Sequence, residues 1–460
     1  MKNIVRFFSM LLALVILGSC DDNLDLQPEQ SLSPGIVLSN EANLQNLLVG
    51  IYDEAAHGSV EAVPDNTWGG EIYTGMELYA NAGELMFNGT FEEPAEFNEK
   101  ALATTNGWVT NFWLNAYEVS NQTNLVIENL GVVEDEATKN RMEGEAKFLR
   151  ALVYFDLVRS FGLPYEAGGA NGQEGVPIVL TGVTDAAQVE APSRNTVAEV
   201  YAQVISDLNS AVSLLPESNG EFADRYSAQA LLARVYLQQG NYAAARDAAH
   251  AVLQNSGHSL APEFSGAFNN AEDGVEDLFA WQITSQDGTN DFNTYWAGSA
   301  FGGRSGNPDV AITAAHMAIY DDPDNDARAA FFYENNGGTA TTKWQSEFGN
   351  IPFLRIGEMH LIRAEANFRE GTALGLSPEA EINALRGRSG AVAIAGLSLQ
   401  DILDERKREL AFEGHNLHDR KRLQENIGSL PYNDPSLVMP VPQRERDANP
   451  NLSQNPGYAQ

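Results

Sequence analysis

The chain has 460 residues, of which 43% are hydrophobic and 20% are charged, so it has enough apolar sequence for a folded core and is not disordered as a whole. Lys and Arg total 28 against 63 Asp and Glu, which gives a formal net charge of -35. A surface this acidic repels phosphate backbones, so nucleic-acid binding is excluded. The single cysteine excludes an intramolecular disulfide and a cysteine-based zinc site.

The N-terminus predicts a secretory signal peptide over residues 1–19. Lys2 and Arg6 make its start positive, and the apolar run that follows is too short to span a bilayer. The run ends in LGSC, which resembles the lipobox of bacterial lipoproteins, whose cysteine begins the mature chain and carries a lipid. This resemblance makes Cys20 the lipidation site and the polar residues 20–40 a lipidated tether. A plain secretory signal with an incidental cysteine is the alternative.

Helical periodicity begins near Glu41. The segment from Arg141 to Phe161 has a wide apolar stripe, which is typical of a deeply packed helix, and Gly162 predicts a left-handed cap where that helix ends. Residues 196–215 predict another amphipathic helix.

A helical hairpin is predicted between Gln229 and Leu253, with its turn at Gly240 and Asn241. Its spacing of small and large residues resembles a tetratricopeptide repeat, and a second, looser copy runs over residues 355–390. Because two isolated repeats cannot form a solenoid, we expect other helical pairs to complete the stack. The expected pairs are residues 44–52 with 113–130, and residues 142–160 with 197–214.

Two long stretches, about 63–107 and 262–353, lack a sustained helical period and predict loop-rich insertions. A short strand is predicted at residues 278–284. Long irregular insertions on a helical scaffold usually carry the function. The predicted fold class is therefore mainly α, a tetratricopeptide-like scaffold of helical hairpins with a large irregular region.

Ordered motifs run along nearly the whole chain. They are W-x3-Y-x6-N (Trp113, Tyr117, Asn124), residues 143–165, 175–179, the repeat hairpin, 354–368, 405–415, 439–445 and 449–458. Together they resemble the SusD/RagB family, the lipidated surface partners of TonB-dependent outer-membrane transporters in Bacteroidetes. The acidic pair Asp21-Asp22 likewise resembles the export signal of surface lipoproteins in these bacteria. The chain departs from the family pattern at one place. The family usually has an Arg and aromatic residues before a particular Asp, whereas here Asn416, Leu417 and His418 precede that residue, Asp419.

The resemblance implies a single domain over residues 41–460, without catalytic activity and without a cofactor. It implies that the irregular half binds an oligosaccharide or polysaccharide and that the protein delivers this ligand to a SusC-like TonB-dependent transporter. It also places the protein on the outer membrane, facing the cell exterior and held by the lipid on Cys20.

Three carboxylates, Glu405, Glu409 and Glu413, fall on one face of a predicted helix, a spacing that could raise one pKa enough for acid catalysis. We favour a structural ion network instead. The basic residues 406–408 and 420–422 lie close enough in sequence to neutralise the three carboxylates.

Two partial metal-ligand patterns occur, and we predict a metal at neither. The first pairs two histidines without a third ligand beyond one Asp. The second alternates Asp residues as in a calcium loop, but lacks the Gly and the bidentate Glu of such a loop and matches the family's Asp-x-Arg. The residues are His415, His418 and Asp419 for the first, and Asp322, Asp324, Asp326, Ala327, Arg328 and Tyr333 for the second.

Exposed aromatic rings flanked by amides, carboxylates or Arg are expected at a sugar site, because the C–H patches of sugar rings stack on a flat π face. Two Gly- and Asn-rich segments, DNTWGGEIY and the loop that follows Trp281, fit this description. A core position is the alternative for each ring, and is at least as well supported for Trp281. The predicted glycan-binding residues are Asn66, Trp68 and Asn81 near the first segment, and Trp281, Tyr295, Trp296, Arg304 and Asp309 in the second.

The predicted function is the capture of an oligosaccharide or polysaccharide at the cell surface. The negative charge argues mildly against anionic polysaccharides, so we expect a neutral glycan. A peptide-binding protein of the same fold is the first alternative, since such a protein would prefer a cleft with charged ends to flat exposed rings. A surface glycosidase is the second alternative.

Overall fold

The computed structural model describes residues 33–57, 67–304, 306–335 and 338–459. The predicted signal peptide, the lipidation site Cys20 and the predicted site residue Asn66 lie outside these ranges. The last part of the predicted tether is described, and one turn of helix, Pro34–Val37, forms there.

The described chain is mainly helical. The helices are α1 (Pro34–Val37), α2 (Glu41–His57), α3 (Ile72–Ala80), α4 (Glu92–Glu99), α5 (Gly107–Glu128), α6 (Glu136–Phe161), α7 (Val197–Leu214), α8 (Arg225–Gln238), α9 (Tyr242–Asn255), α10 (Asp291–Trp296), α11 (Ala314–Met317), α12 (Ile356–Glu370), α13 (Pro378–Arg388), α14 (Leu399–Glu409), α15 (Asn416–Arg422) and α16 (Gln443–Ala448). The strands are β1 (Leu85–Phe87), β2 (Asp277–Trp281), β3 (Val310–Ile312), β4 (Phe332–Asn335), β5 (Gly338–Thr341) and β6 (Ile351–Arg355). This confirms the predicted fold class.

The long helices pack against one another in series. α2 packs on α5, α5 on α6, α6 on α7, and the series continues through α8, α9, α12 and α13. The two helical pairs expected from sequence, and both repeat hairpins, are therefore confirmed. The apolar faces of α2 to α12 join one hydrophobic cluster that extends from Leu44 to Leu452, where each fully buried Leu or Phe contributes about 2 kcal/mol to folding. The buried residues of α13, Ile382 and Leu385, belong to a second, smaller cluster with Leu361 of α12.

Local signals set most helix ends. The Thr196 side chain accepts from the backbone N–H of Glu199 while the Glu199 side chain accepts from the Thr196 N–H, a capping box that starts α7. Gly240 turns the first hairpin with φ of 70°. The left-handed cap predicted at Gly162 is wrong, because its backbone is extended with φ of -101°. A Cβ there would lie 2.8 Å from the carbonyl oxygen of Val158, so Gly162 allows a close approach of the chain rather than a special φ.

Two small sheets lie in the irregular region. β1, β3, β5 and β4 form an antiparallel sheet in that order, and β2 pairs with β6. β2 confirms the strand predicted at residues 278–284, with its end at Trp281. Two segments of the stretch 63–107, which was predicted to be loop-rich, are helices. α3 is buried on every side, so its sequence has no polar face to give a period, and α4 is only two turns long.

The six tryptophans all lie in described segments and all are buried. Within the described ranges, no helix is both long enough and apolar enough to cross a membrane.

Candidate functional site

The two tryptophans predicted to be open to solvent are in the core. Trp68 and Trp296 each have an exposed fraction of 0%. The indole N–H of Trp68 donates to Asp156 Oδ2 at 2.8 Å, and that of Trp296 donates to Thr74 Oγ1 at 2.9 Å. Neither ring can stack on a sugar in this arrangement, so the prediction that these indoles form the binding platform is wrong.

The packing of Gly70 explains why Trp68 is buried although its segment is rich in glycine. Gly70 has φ of 130°, and a Cβ there would lie 2.3 Å from the backbone nitrogen of Phe292. The glycines beside Trp68 therefore allow α10 to pack tightly against this segment, whereas the sequence reasoning took them as a sign of an open loop.

The other predicted rings are buried as well. Tyr295 packs edge-on against Trp108, with ring centroids 5.0 Å apart. Trp281 packs between Phe279 and Phe353, as its core alternative predicted.

Two predicted polar residues have structural contacts. Asn81 is half-buried; its side-chain oxygen accepts from the N–H groups of Gly83 and Leu85, and its amide donates to Asn98. It therefore shapes the turn before β1. Asp309 is buried, and Oδ2 accepts two hydrogen bonds from Arg304 at 2.8 and 2.6 Å.

Arg304 lies on a surface that does have accessible rings. We name this surface the aromatic face and define it by Phe91, Phe301, Arg304, Tyr333 and Asn335. Phe91 and Phe301 are 43% and 39% exposed, whereas the remaining three are half-buried. The face combines flat rings, a guanidinium and an amide, which is the combination that recognises the C–H patches and hydroxyls of a sugar.

The guanidinium joins one end of this face to the sheet beneath it. The Cζ atom of Arg304 lies 3.9 Å from the centroid of the Phe91 ring. Asp309 precedes β3 and holds the other side of the same guanidinium. Two charge-assisted hydrogen bonds to a buried carboxylate fix the orientation of Arg304, and Arg304 in turn supports the Phe91 ring.

The second end of the face is equally well supported. The rings of Phe301 and Tyr333 meet edge-on at 5.0 Å. The N–H of Gly298 donates to Tyr333 Oη at 3.0 Å, and the Asn335 amide donates to the carbonyl of Gly306 at 2.9 Å. Since β4 is paired with β5, these contacts fix the loop after α10 on the sheet. The face is therefore preformed, which lowers the ordering cost of binding.

The sequence analysis selected a loop that contributes to the aromatic face, but the rings it selected lie in the core. Phe301 and Arg304 both lie in the predicted second segment, and Arg304 was a predicted site residue. Phe91, Tyr333 and Asn335 were missed, because no periodic pattern brings β4 and the start of α4 to this loop. The sequence GSAFGGR places a Phe among small residues, and this pattern could have indicated that the Phe301 ring is exposed.

The three glutamates form the predicted structural ion network, although most of their partners were not predicted. Arg328 Nη1 lies 2.7 Å from Glu405 Oε1, and Arg355 Nη1 lies 2.8 Å from Glu409 Oε1. Burial alone would raise the pKa of Glu409, but the surrounding guanidinium groups hold it well below its usual value.

Of the predicted neighbours, Arg408 pairs with Glu405, whereas Arg406, Lys407, Arg420 and Arg422 pair with carboxylates elsewhere. A carboxylate held by arginines in this way cannot act as a proton donor near neutral pH.

The histidines of the first metal pattern are also structural. Burial, together with nearby cations, holds the pKa of His415 and His418 well below its usual value. Asp419 pairs with Arg406 and Arg422, each at 2.7 Å, so its oxygens are already occupied.

The second metal pattern is a turn. Asp326 pairs with Arg328 at 2.8 Å, and Asp322 accepts from Asn325 and from the N–H of Val392. Elsewhere in the described residues, Asp53, His57 and Asp287 have ligand atoms within 4.8 Å of one another. Both aspartates of this group are exposed, and Asp287 Oδ2 already accepts from Thr284, so we assign no metal to it.

A cavity of about 220 Å³ lies between α3, β1, α14 and α15. Its wall is charged, but Lys407 and Arg420 pair with Glu84, and Arg406 pairs with Asp419. Burial raises the pKa of Glu77 in this wall to about 7. Because these charged groups are already paired with one another, we do not assign this cavity as the ligand site.

The fold and the family comparisons agree. One family model, described as starch-binding and associating with the outer membrane, matches residues 22–237, and the SusD family model matches residues 239–429. The chain belongs to the SusD/RagB family, a family of carbohydrate-binding proteins.

Three similar proteins show the extent of this likeness. SusD-like protein P2 of Formosa agariphila is 28% identical, and the match covers 99% of each chain. A SusD superfamily protein of Bacteroides thetaiotaomicron has a TM-score of 0.78 at 26% identity, covering 90% of this chain and 99% of that one. A laminarin-binding SusD-like protein has a TM-score of 0.74 at 21% identity, and the match covers 91% of this chain and 100% of that one. This chain therefore shares its fold.

Proposed function

We propose that this protein captures a neutral oligosaccharide or polysaccharide on its aromatic face and performs no catalysis. The observation that carries the proposal is the pair of exposed rings, Phe91 and Phe301, on one face with Arg304, whose guanidinium is fixed by Asp309 and contacts the Phe91 ring. Family membership and the laminarin-binding relative support the ligand class.

The charge of the chain supports a neutral ligand. The net charge of -35 opposes the approach of an anionic polymer. The guanidinium of Arg304 is neutralised by Asp309, so the face offers no free positive charge to a uronate or a sulfate. Binding would rest on ring stacking and a few hydrogen bonds, giving weak contacts that a long polymer reinforces by engaging several copies.

We further propose that the lipid on Cys20 anchors the protein to the outer membrane with the aromatic face outwards. There it would pass its ligand to a SusC-like TonB-dependent transporter. The family description, which associates these proteins with the outer membrane, supports this location.

Affinity electrophoresis in gels that contain neutral polysaccharides tests the ligand site. The panel includes laminarin, starch, mannan, xylan and fructan. We expect at least one glycan to retard the wild-type protein, and Phe301→Ala and Phe91→Ala to lose most of this retardation. Phe368→Ala is the matched control, since Phe368 is also an exposed Phe, at 36%, but lies on the helical scaffold.

Three outcomes would overturn the proposal in different ways. Equal retardation of the wild type and both face variants would remove the site assignment. Retardation by no glycan in the panel would remove the glycan itself and favour a peptide ligand. Release of reducing ends by the purified protein would instead indicate a glycosidase.

A further inference from the structure

A second depression, built from other residues, has a volume of about 430 Å³. It lies where α13 ends and faces the segment before β4. We name it the α13 pocket. The lining residues are Glu263, Phe264, Ser265, Asn325, Ala327, Phe331, Gly387, Arg388, Ser389 and Gly390. None of these belongs to the aromatic face, and the volume falls in the range usual for small-ligand sites.

Two aromatic rings and a planar guanidinium group form the inner part of the lining. Phe264 is buried, and its ring meets that of Phe331 edge-on at 5.3 Å. The guanidinium carbon of Arg388 lies 5.1 Å from the centroid of the Phe264 ring. The rim consists of small or polar exposed residues and the Phe331 ring is half-buried, so this ring is the aromatic surface that a ligand can reach.

Two buried polar atoms of this lining have no partner. Arg388 Nε and Ser389 Oγ make no hydrogen bond within the structure. The side chain of Arg388 is only 5% exposed, and Ser389 is only 1% exposed. An unpaired buried donor carries a desolvation cost that a bound acceptor can remove, so both atoms indicate a missing partner rather than an inert wall.

The charges around Arg388 indicate which kind of ligand the pocket can bind. Arg388 Nη1 lies 3.0 Å from Glu276 Oε1, and Nη2 pairs with Glu409, so two buried carboxylates compensate the guanidinium. The carbonyl end of α13 and the exposed Glu263 on the rim also disfavour an anion. A neutral ligand with hydroxyl groups would give an acceptor to Nε, a partner to Ser389 Oγ, and C–H groups to the half-buried ring of Phe331.

We propose that the α13 pocket is a second binding site, which takes a single neutral sugar unit or a comparable polyol. The pocket does not depend on the aromatic face, because the two share no residue.

The test uses the mature full-length chain with Phe301→Ala as background, which removes the proposed main site. Saturation-transfer NMR measures the binding of D-glucose, D-mannose and D-xylose as probes. Ala327→Trp fills the pocket from an exposed rim position. Ala384→Trp, on the exposed surface of α13, is the matched control. We expect the background and the control to bind at least one probe, and Ala327→Trp to lose the signal.

Ser389→Ala gives an independent reading, because it removes one unpaired hydroxyl without adding bulk. We expect probe binding to weaken by roughly fivefold. Thermal unfolding shows whether each variant is folded. Binding of no probe by the Phe301→Ala background would overturn the second site, as would equal binding by Ala327→Trp, Ser389→Ala and the control. Neither result would affect the electrophoresis test of the aromatic face.

Discussion

Arg304 connects the aromatic face to the core of the protein. Its guanidinium contacts the Phe91 ring on one side and the buried carboxylate of Asp309 on the other. Lysine carries the same charge, but its ammonium has no planar surface and cannot donate two hydrogen bonds in a fixed fork. The shape of this side chain, more than its charge, should therefore set the geometry of the face.

Arg304→Lys should weaken glycan retardation by roughly three- to tenfold, or about 1 kcal/mol. The melting temperature should change little, because Lys still pairs with Asp309. Arg225→Lys is the control, since Arg225 forms an exposed pair with Glu217. Wild-type retardation in Arg304→Lys would show that the Phe91 ring does not need this support.

Glu77 should make the stability of the protein depend on pH. Burial raises its pKa to about 7, so the folded state binds a proton more tightly than the unfolded state does. Stability from this group is therefore fully present below its unfolded value of about 4.3 and decreases as the pH rises towards 7.

Glu77→Gln should raise the unfolding free energy at pH 8 by about 1–3 kcal/mol and change it much less at pH 5. Gln keeps an oxygen that can accept from the N–H of Gly414, as Glu77 does at 2.8 Å. Urea unfolding at the two pH values provides the measurement. An equal change at both would mean that the side chain titrates normally.

At the scale of elements, α14 joins the helical scaffold to the irregular region through buried ion pairs. Glu405 and Glu409 extend from this helix to Arg328 and Arg355, which lie beside β4 and in β6. The periodicity of the α14 sequence predicted which carboxylates share a face. It could not predict their partners, because those arginines lie more than fifty residues away along the chain.

Arg355→Met should lower the unfolding free energy by about 3–5 kcal/mol, since it leaves Glu409 and Glu413 buried with fewer cations. The exposed pair of Arg225 and Glu217 is the control, and Arg225→Met should lower the unfolding free energy by at most about 1 kcal/mol. Denaturant unfolding of the two variants measures both values. Equal, small effects would indicate that water enters the ion network.

For the whole molecule, the sequence predicted what is local and missed what is not. Helix pairs such as α2 with α5 were predictable because each helix has its own periodicity and caps. Ring exposure was not predictable, because the burial of Trp68 depends on Gly70 meeting Phe292, a distant part of the chain. The rings of the proposed aromatic face lie where three separate segments converge, and a single sequence contains no signal for that convergence.

The predicted anchor is tested on the entire protein in a Bacteroidetes host. Cys20→Ala should move the protein from the membrane fraction to the soluble fraction and abolish labelling by a fatty acid. Glycan retardation of the purified variant should be unchanged, because the residues that define the aromatic face lie between positions 91 and 335. Membrane retention of Cys20→Ala would mean that something other than a lipid holds the protein.

The two family models meet at residues 237–239, and this junction falls at the tip of the hairpin between α8 and α9. These two helices pack on each other, and both belong to one hydrophobic cluster. A protease that nicks the tip should therefore leave a particle whose two fragments remain associated, whereas either fragment synthesised alone should aggregate. The two matched regions therefore form one folding unit, and neither half can be exchanged for another without new packing between α8 and α9.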